Sequence, residues 1–264
     1  MDEFIYPTEH GAVHYWYSNI GASETLVFLH GLTADHRLFD SQISAFRETY
    51  NCLVWDAPAH GASRPYSGFS YPDCAEVLHA ILDLHHIETP ILIGQSMGGY
   101  VIQSFLLRYP RRAKAFISID SCPYGARYYS RSDKWWLCQI EWMAKCYPFH
   151  ALKSAVAKQC TTGARSEENM RSMLETYSKQ ELCHLMGLGF AGFLEDNRDL
   201  TIPCPVLLIV GEKDVTGKVR AYNKAWAAAT GYPIHWINDA AHNANDDQPD
   251  LVNAKIEAFI QSIL

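Results

Sequence analysis

The sequence has no long apolar run and no basic cluster. Nowhere do eighteen apolar residues follow one another, which excludes an ordinary membrane-spanning helix. Lysine and arginine total 22 against 29 aspartates and glutamates, a formal net charge of -7, and the longest basic run is Arg111-Arg112. Without a basic patch there is no electrostatic footprint for phosphate backbones or anionic membranes. We therefore expect no nucleic-acid partner and no membrane insertion.

Features of exported, disulfide-stabilised and metal-binding proteins are also missing. The first ten residues, MDEFIYPTEH, contain neither the basic nor the apolar segment of a secretory signal. Eight cysteines are scattered without a CxxC pair. His79, His85 and His86 lack the i, i+4 spacing of a zinc-binding helix. We expect a cytoplasmic protein with reduced, mostly buried cysteines, no metal and no cofactor.

Short apolar runs alternate along the chain with helical patterns. The chain has 264 residues and is 48% hydrophobic, enough to bury one large core. Apolar runs without polar alternation are typical of strands covered on both faces by helices, so this order predicts a mostly parallel α/β sheet. The predicted strands are residues 25–29, 52–55, 91–93, 115–119 and 206–210, and the predicted helices are residues 36–49, 71–86, 97–109, 219–229 and 249–264.

The alternation is interrupted between two of the predicted strands. Residues 121–200 contain no strand run, and helical patterns cover residues 167–177 and 179–193. This organisation predicts an α/β core formed by residues 1–120 and 201–264, with residues 121–200 inserted as a helical cap.

Ser96 lies in a motif that joins a predicted strand to a predicted helix. The sequence Gly94-Gln95-Ser96-Met97-Gly98 has the form G-x-S-x-G, in which a strained turn raises the serine hydroxyl above the sheet edge. The glycines two positions before and after the serine avoid a clash in this turn. An apolar strand before the motif and an apolar helix after it are the context that it requires. We predict that Ser96 is a nucleophile.

A serine hydroxyl needs a base that takes its proton as it attacks. His242 follows the short run 234–237 and precedes the last predicted helix, so it occupies a loop at the strand-end side of the sheet. Its position after the serine and after a candidate acid also fits the chain order Ser, Asp, His. We predict that His242 is the base.

The base in turn needs a carboxylate that orients its ring and stabilises the imidazolium. Asp214 lies in the loop after the predicted strand 206–210 and is the preferred candidate. Asp120, at the end of the preceding strand, is a rival, and Asp239 is a third possibility.

Attack by the serine creates an oxyanion that backbone N–H groups can stabilise. Met97 starts the helix after the nucleophile, so its N–H is one predicted donor. The loop His30-Gly31-Leu32 turns back toward the site, and the N–H of Leu32 is the second. His30 is interpreted as a residue that stabilises this turn rather than as a second base.

Together these motifs resemble the α/β-hydrolase superfamily. His30-Gly31 is similar to its oxyanion loop, and Gly94 to Gly98 to its nucleophile elbow. Residues 56–63, DAPAHGAS, are similar to its D-x-P-G-H-G-x-S segment, with Ala59 in place of the usual glycine. Residues 211–214 and His242 match its acid and histidine loops. The resemblance covers roughly residues 12–120 and 200–264.

This resemblance implies an α/β-hydrolase fold, with a mostly parallel eight-stranded sheet flanked by helices and an inserted helical cap. The first two strands, drawn at residues 4–6 and 13–18, would be antiparallel. Asp56 and His60 would shape a loop and have structural roles. Related epoxide hydrolases and dehalogenases carry aspartate where this chain has Ser96, and the short His-Gly oxyanion loop implies small-ester or thioester hydrolysis.

Aromatic and methionine side chains in the cap suggest an apolar substrate pocket. The predicted pocket residues are His36, Phe39, Trp135, Trp136 and Phe190. No lysine or arginine occupies a motif position that would mark a charged substrate group. We expect a small-molecule substrate and a monomer or homodimer.

The function predicted is that of a serine hydrolase, of carboxylesterase type, that cleaves a small, partly apolar ester, thioester or related acyl substrate through an acyl-enzyme. Two alternatives remain open. The same triad serves carbon–carbon bond hydrolysis, lyase, acyl-transfer or perhydrolase chemistry in proteins that look alike at the motif level. A ligand receptor that has retained the triad is the other alternative.

Overall fold

The computed structural model describes residues 1–264, and an eight-stranded sheet forms its centre. The strands are β1 (Asp2–Thr8), β2 (Gly11–Ser18), β3 (Thr25–Leu29), β4 (Asn51–Trp55), β5 (Ile91–Gln95), β6 (Ala115–Ile119), β7 (Val206–Gly211) and β8 (Ile234–Ile237). Their order is β1-β2-β4-β3-β5-β6-β7-β8. β2 pairs antiparallel with β1 and β4, and every other neighbouring pair is parallel. The predicted mostly parallel eight-stranded sheet is confirmed.

Eleven α-helices accompany the sheet. They are α1 (Asp40–Phe46), α2 (Tyr71–Leu84), α3 (Met97–Arg108), α4 (Arg131–Leu137), α5 (Ile140–Cys146), α6 (Phe149–Cys160), α7 (Ala164–Leu174), α8 (Lys179–Asp196), α9 (Val219–Thr230), α10 (Ala244–Asp247) and α11 (Pro249–Ile263). The five helices α4 to α8 lie between β6 and β7 in the chain, within the segment predicted as a cap. No helix combines the length and apolarity needed to cross a bilayer.

The central strands are buried on both faces, which explains their uninterrupted apolar sequences. All residues of β3, β4, β5 and β6 are buried. In β3, Val27 and Leu29 belong to the core layer that includes buried residues of α2 and α3, whereas Leu26 and Phe28 face the layer that includes residues of α11. Successive strand side chains point to opposite faces, so one apolar strand contributes to two core layers.

The parallel arrangement places several loops at one edge of the sheet. β3, β5, β6, β7 and β8 run in the same direction, so their carboxyl ends share that edge. Ser96 follows β5, Asp120 follows β6, Asp214 lies in the loop after β7, and His242 lies in the loop after β8. In open α/β sheets, ligands bind at this edge.

Several predicted boundaries were wrong. The helix predicted at residues 36–49 is a 3₁₀ turn, His36–Phe39, followed by α1, which ends at Phe46. α6 was not predicted, because its apolar stripe is interrupted by polar residues.

The cysteines are less buried than expected: four of the eight are buried, while Cys138 and Cys146 are exposed.

Candidate active site

Ser96 has a strained backbone at the junction of β5 and α3. Its φ of 47° and ψ of -111° lie outside the conformations that non-glycine residues usually adopt. The turn is tight: a Cβ placed on Gly98 would lie 1.9 Å from the carbonyl oxygen of Leu29. Only a residue without a side chain fits there. The sheet and the helix therefore hold the serine hydroxyl at the carboxyl edge.

The structure brings together the three residues predicted as a triad. The Nε2 atom of His242 lies 2.8 Å from the Oγ atom of Ser96, and its Nδ1 atom lies 2.8 Å from the Oδ2 atom of Asp214. Because a carboxylate only accepts hydrogen bonds, Nδ1 carries the proton and Nε2 accepts the hydrogen bond of the serine hydroxyl. This tautomer is the one in which histidine can remove the proton of Ser96.

Asp214 is buried and held in place by its own loop. Its Oδ1 atom accepts a 2.7 Å hydrogen bond from the N–H of Thr216 and leaves Oδ2 for His242. Gly211 lets this loop approach the histidine loop, since a Cβ at that position would lie 2.1 Å from the carbonyl oxygen of Ala241. The main-chain hydrogen bond from Lys213 N–H to Ala240 O, 2.8 Å long, joins the two loops directly.

The two rival acids have other partners. Asp120 accepts hydrogen bonds from the N–H groups of Gly211, at 2.7 Å, and Ala244, at 3.2 Å. Burial, together with the charge of Asp214, raises the pKa of the Asp120 carboxyl well above its usual value. Asp239 is exposed and pairs with Lys213 at 2.6 Å. Of the three candidate acids, Asp214 is the one whose carboxylate contacts His242.

The two predicted oxyanion donors border the reacting serine. Met97 is the first residue of α3, where helical N–H groups have no partner within the helix. Leu32 lines the cavity beside Ser96, and its N–H makes no hydrogen bond to the protein. Both N–H groups are thus free to bind an oxyanion.

His30 supports the loop that carries Leu32. Its Nδ1–H donates to the carbonyl of Gly31 at 2.8 Å, and its Nε2 accepts a 3.0 Å hydrogen bond from the N–H of Ala57. Burial lowers the pKa of His30, and a ring whose Nε2 accepts a hydrogen bond is neutral. With both nitrogens hydrogen-bonded to the backbone, His30 stabilises the turn.

The segment that resembles D-x-P-G-H-G-x-S forms a hydrogen-bonded loop beneath the site. The Asp56 carboxylate accepts from the N–H of His36 at 2.8 Å and from that of Ala62 at 2.6 Å. The hydroxyl of Ser63 donates to the carbonyl of Asp56 at 2.6 Å. His60 is fully buried and donates from Nδ1 to the carbonyl of Pro58 at 2.9 Å. These residues contact backbone, which is the structural role that the resemblance implied.

Residues that the motifs did not single out hold the nucleophile turn. The Gln95 side chain donates to the carbonyl oxygen of His242 at 2.7 Å. The Ser121 hydroxyl donates to the carbonyl oxygen of Ser96, also at 2.7 Å. Gln95 occupies a variable position of G-x-S-x-G, so only its place beside the serine could have drawn attention to it.

Two cavities meet at Ser96 and His242. The smaller, about 90 Å³, lies against the oxyanion loop and is lined there by Leu32 and Ala34 and from the cap by Val156. The larger, about 400 Å³, extends between the cap and α9. Its aromatic residues are Tyr100, Tyr129, Trp136, Phe190, Phe193 and Tyr222. Gln159, Met186 and Phe190 line both cavities. The serine therefore has unequal space on its two sides.

Three of the five predicted pocket residues are elsewhere. Phe39 is fully buried in the core against Phe28, with ring centroids 5.2 Å apart, because its 3₁₀ turn faces the sheet. His36 donates to Asp56 at 2.8 Å and lines neither cavity. Trp135 is 57% exposed and lines neither cavity.

The other two predicted residues, Trp136 and Phe190, do line the space around Ser96. Phe190 lies on α8 and borders both cavities. Trp136 lies on α4, borders the larger cavity and is 55% exposed, so it stands at the mouth.

One group of side chains has the composition of a metal site, namely Asp35, His36 and Asp56. The Asp35 carboxylate is already bound by Arg37, with the closest oxygen 2.6 Å from Nη2. Asp56 is bound by His36 and by backbone N–H groups. Since hydrogen-bond donors occupy these oxygens, the cluster fits a structural network better than a cation.

The comparison with protein families agrees with this geometry. The model of the α/β-hydrolase fold family matches residues 24–249. The chain belongs to this family. The family's match spans β3 to α10 and includes Ser96, Asp214 and His242. The resemblance drawn from the motifs is thereby confirmed at the level of the superfamily.

Relatives of this α/β-hydrolase include esterases and a synthase. A carboxylesterase of Bacillus subtilis (strain 168), YbfK, is 25% identical over 98% of this chain and 88% of its own. A 2-succinyl-6-hydroxy-2,4-cyclohexadiene-1-carboxylate synthase of Klebsiella pneumoniae (strain 342) is 28% identical over 90% of this chain and 94% of its own. The structure of a thermophilic esterase from Thermogutta terrifontis has the same fold, with a TM-score of 0.79 at 19% identity over 100% of this chain and 99% of that chain.

Proposed function

We propose that this α/β-hydrolase is a serine carboxylesterase that cleaves a small, partly apolar ester through an acyl-enzyme. The observation that carries the proposal is the pair of 2.8 Å hydrogen bonds joining Asp214, His242 and Ser96. That relay supplies a nucleophile, its base and an orienting acid, which are the groups that acyl transfer requires. The esterase-like relatives support the same reaction class.

Acylation begins when the Ser96 hydroxyl attacks the carbonyl carbon of the ester. The hydroxyl proton passes to Nε2 of His242, and Asp214 stabilises the imidazolium that forms. The carbonyl oxygen becomes an oxyanion, to which the N–H groups of Leu32 and Met97 donate. Collapse of the tetrahedral intermediate breaks the ester C–O bond, and the departing alcohol takes its proton from His242.

Deacylation repeats these steps with water as the nucleophile. His242 removes a proton from the water as its oxygen attacks the acyl carbon, and the second tetrahedral intermediate expels the Ser96 oxygen. His242 returns the proton to that oxygen, which restores the free enzyme.

The two cavities suggest a substrate with one compact and one bulky group. The larger cavity has more than four times the volume of the smaller one, about 400 against about 90 Å³, so one side of Ser96 accepts a bulky group and the other only a compact one. The larger cavity contains one lysine, Lys218, which pairs with Asp133 at 2.7 Å. Because this cation is neutralised, a neutral apolar group suits the cavity better than a carboxylate.

The proposal is tested with purified protein and p-nitrophenyl acetate. We expect release of p-nitrophenol and covalent labelling of Ser96 by a fluorophosphonate, both abolished in Ser96→Ala. In Asp214→Asn, kcat should fall by about 10⁴, since the imidazole loses its correct tautomer. Asp239→Asn is the matched control and should keep wild-type kcat. A folded wild-type protein that neither labels nor turns over the ester would refute the esterase assignment.

A second candidate, elimination chemistry with the same triad, is favoured by the similarity to the Klebsiella synthase. Here Ser96 and His242 would act together as a base on a substrate C–H bond. The compound in that relative's name is its product, so the two reactions are distinguished by supplying the relative's own substrate and measuring formation of the cyclohexadiene carboxylate. Formation of this product without fluorophosphonate-sensitive ester cleavage would select the elimination; ester cleavage alone would select the esterase.

A further inference from the structure

The loop that carries His242 is attached to the cap at residues 160–163, where α6 ends and α7 begins. The hydroxyl of Thr162 donates to the carbonyl oxygen of Asp239 at 2.6 Å. The N–H of Asn243 donates to the carbonyl oxygen of Cys160 at 2.8 Å. Two cap residues thus contact the histidine loop on either side of His242.

A third link runs through the carboxylate of Asp247 on α10. Its Oδ2 atom accepts from the N–H of Ala241, the residue before His242, at 2.8 Å. On the cap side, its oxygens accept from the N–H of Thr162, at 2.9 and 3.1 Å, and its Oδ1 accepts from the hydroxyl of Ser166. One carboxylate therefore bridges the cap and the backbone of the base.

The side chain of the neighbouring Asp246 makes cap contacts but no hydrogen bond to the histidine loop. Its carboxylate pairs with Arg165 at 3.2 Å and accepts from the side chain of Asn169 at 3.1 Å, both on α7. Its side chain makes no hydrogen bond to residues 239–243. The two consecutive aspartates differ in whether they reach the histidine loop.

We propose that Asp247 is a positioning residue that fixes the backbone of His242 relative to the cap. The proposal rests on the proposed function, in which Nε2 of His242 takes the proton of Ser96. Both carboxylate oxygens of Asp247 are used, so its loss leaves the N–H of Ala241 without a partner and frees the loop. A displacement of about 1 Å at a reacting group can cost roughly a hundredfold in rate. Asp247 itself touches neither the serine nor the two cavities.

Asp247→Asn and Asp246→Asn form a matched pair for the test. Three donors surround Oδ1 of Asp247, namely the N–H groups of Thr162 and Gly163 and the hydroxyl of Ser166. The one acceptor oxygen of an asparagine at position 247 therefore stays on that side, and its NH₂ group faces the N–H of Ala241, which loses its acceptor. With p-nitrophenyl acetate we expect kcat at least tenfold lower in Asp247→Asn and KM within twofold of the wild type. Asp246→Asn should keep kcat within twofold although it also weakens cap contacts. Equal losses of kcat in both variants, or an unchanged kcat in Asp247→Asn, would overturn the proposal.

Amide hydrogen exchange gives a readout that needs no substrate. The N–H of Ala241 should exchange faster in Asp247→Asn than in the wild type, and at the wild-type rate in Asp246→Asn. If the wild type turns over no ester, the exchange experiment alone decides the positioning role, and an unchanged rate at Ala241 rejects it. Should Asp247→Asn fail to fold, Ser166→Ala removes one cap partner of Asp247. It should then lower kcat about two- to fivefold at unchanged KM, and a wild-type kcat would reject the role.

Discussion

The side-chain amide of Gln95 donates a 2.7 Å hydrogen bond to the main-chain carbonyl oxygen of His242. Gln95 immediately precedes Ser96, so a single contact joins the turn that carries Ser96 to the loop that carries His242. Both the glutamine and the histidine are buried. Inside a protein such a hydrogen bond is costly to lose, because water cannot replace the missing donor.

Gln95→Leu should therefore weaken the relay without removing any member of it. The substitution leaves the carbonyl of His242 without this donor, a loss of about 1 to 3 kcal/mol for a buried group. We expect kcat for p-nitrophenyl acetate to fall about tenfold, with a lower melting temperature.

Gln103→Leu is the matched control for this variant. Gln103 is an equally buried glutamine that donates to main-chain carbonyls, those of Gly99 at 3.0 Å and Cys122 at 2.9 Å, but not to the histidine loop. It should lose comparable stability and keep kcat within about threefold. The same decrease in kcat in both variants would mean that Gln95 matters only for stability.

The positions of Ser96, Asp214 and His242 could be predicted because each follows a strand. Short apolar runs mark parallel strands, and their carboxyl ends share one edge whatever the details of packing. The G-x-S-x-G pattern is also local, since its glycines are required by close contacts within one turn. Fold and candidate triad thus depend on sequence signals that span only a few residues.

The pocket could not be predicted in the same way. Trp135 and Trp136 are adjacent on α4, yet only Trp136 lines a cavity, since the docking of the cap decides which face of the helix turns inward. Phe39 is an apolar residue near the oxyanion loop, but its 3₁₀ turn directs it into the core. Asp247 reaches Thr162 and Ala241 by contacts that no local pattern indicates.

Unequal cavities predict unequal tolerance for the two groups of an ester. The acyl-enzyme mechanism fixes the acyl group on one side of Ser96 and the leaving group on the other. With the p-nitrophenyl group in the larger cavity, p-nitrophenyl acetate should be cleaved, whereas p-nitrophenyl decanoate adds a bulky acyl group on the compact side and should not be. Initial rates at equal concentration measure the preference, and efficient cleavage of p-nitrophenyl decanoate would contradict it.

Two substitutions away from Ser96 change one cavity each. Val219 lines only the larger cavity, which takes the p-nitrophenyl group, so Val219→Phe should raise KM for p-nitrophenyl acetate about tenfold. Val156 lines only the smaller one, and Val156→Ala should admit p-nitrophenyl butyrate better than the wild type does. The reverse pattern would show that the bulky group lies on the other side of the serine.

His60 makes the stability of the protein dependent on pH. Burial, with a contribution from His30, lowers the pKa of His60 to about 3, against 6.5 for an ordinary histidine. Between these values the unfolded chain binds a proton that the folded chain does not, so acidification favours unfolding. Each pH unit in that window costs about 1.4 kcal/mol for this group.

Urea unfolding at pH 6 and pH 4 measures this effect. The free energy of unfolding should fall with pH in the wild type, and His60→Asn should reduce that fall by roughly 2 kcal/mol between pH 6 and pH 4. Asparagine retains a donor for the carbonyl of Pro58. An identical pH dependence in both proteins would mean that His60 is not held neutral in the folded state.

Ala59 is strained where the family's segment usually has glycine. Its φ of 66° lies in the left-handed region, which costs a residue with a Cβ about 1 to 2 kcal/mol. Glycine there would relieve the strain but increase the entropy of the unfolded chain, at a cost of about 0.4 to 1 kcal/mol. Since the first effect is larger, Ala59→Gly should stabilise the protein by about 0.5 to 1 kcal/mol.

The matched control for Ala59→Gly is Ala57→Gly, two residues earlier in the same loop. Ala57 is fully buried and is not among the residues with positive φ, so glycine there should lower the free energy of unfolding. Urea unfolding measures the free energy of unfolding of both variants, provided that its dependence on urea concentration is the same as in the wild type. If the two glycines destabilise the protein equally, the left-handed backbone at residue 59 carries no strain. If only Ala59→Gly stabilises, the alanine at this position costs the protein stability that a glycine would restore.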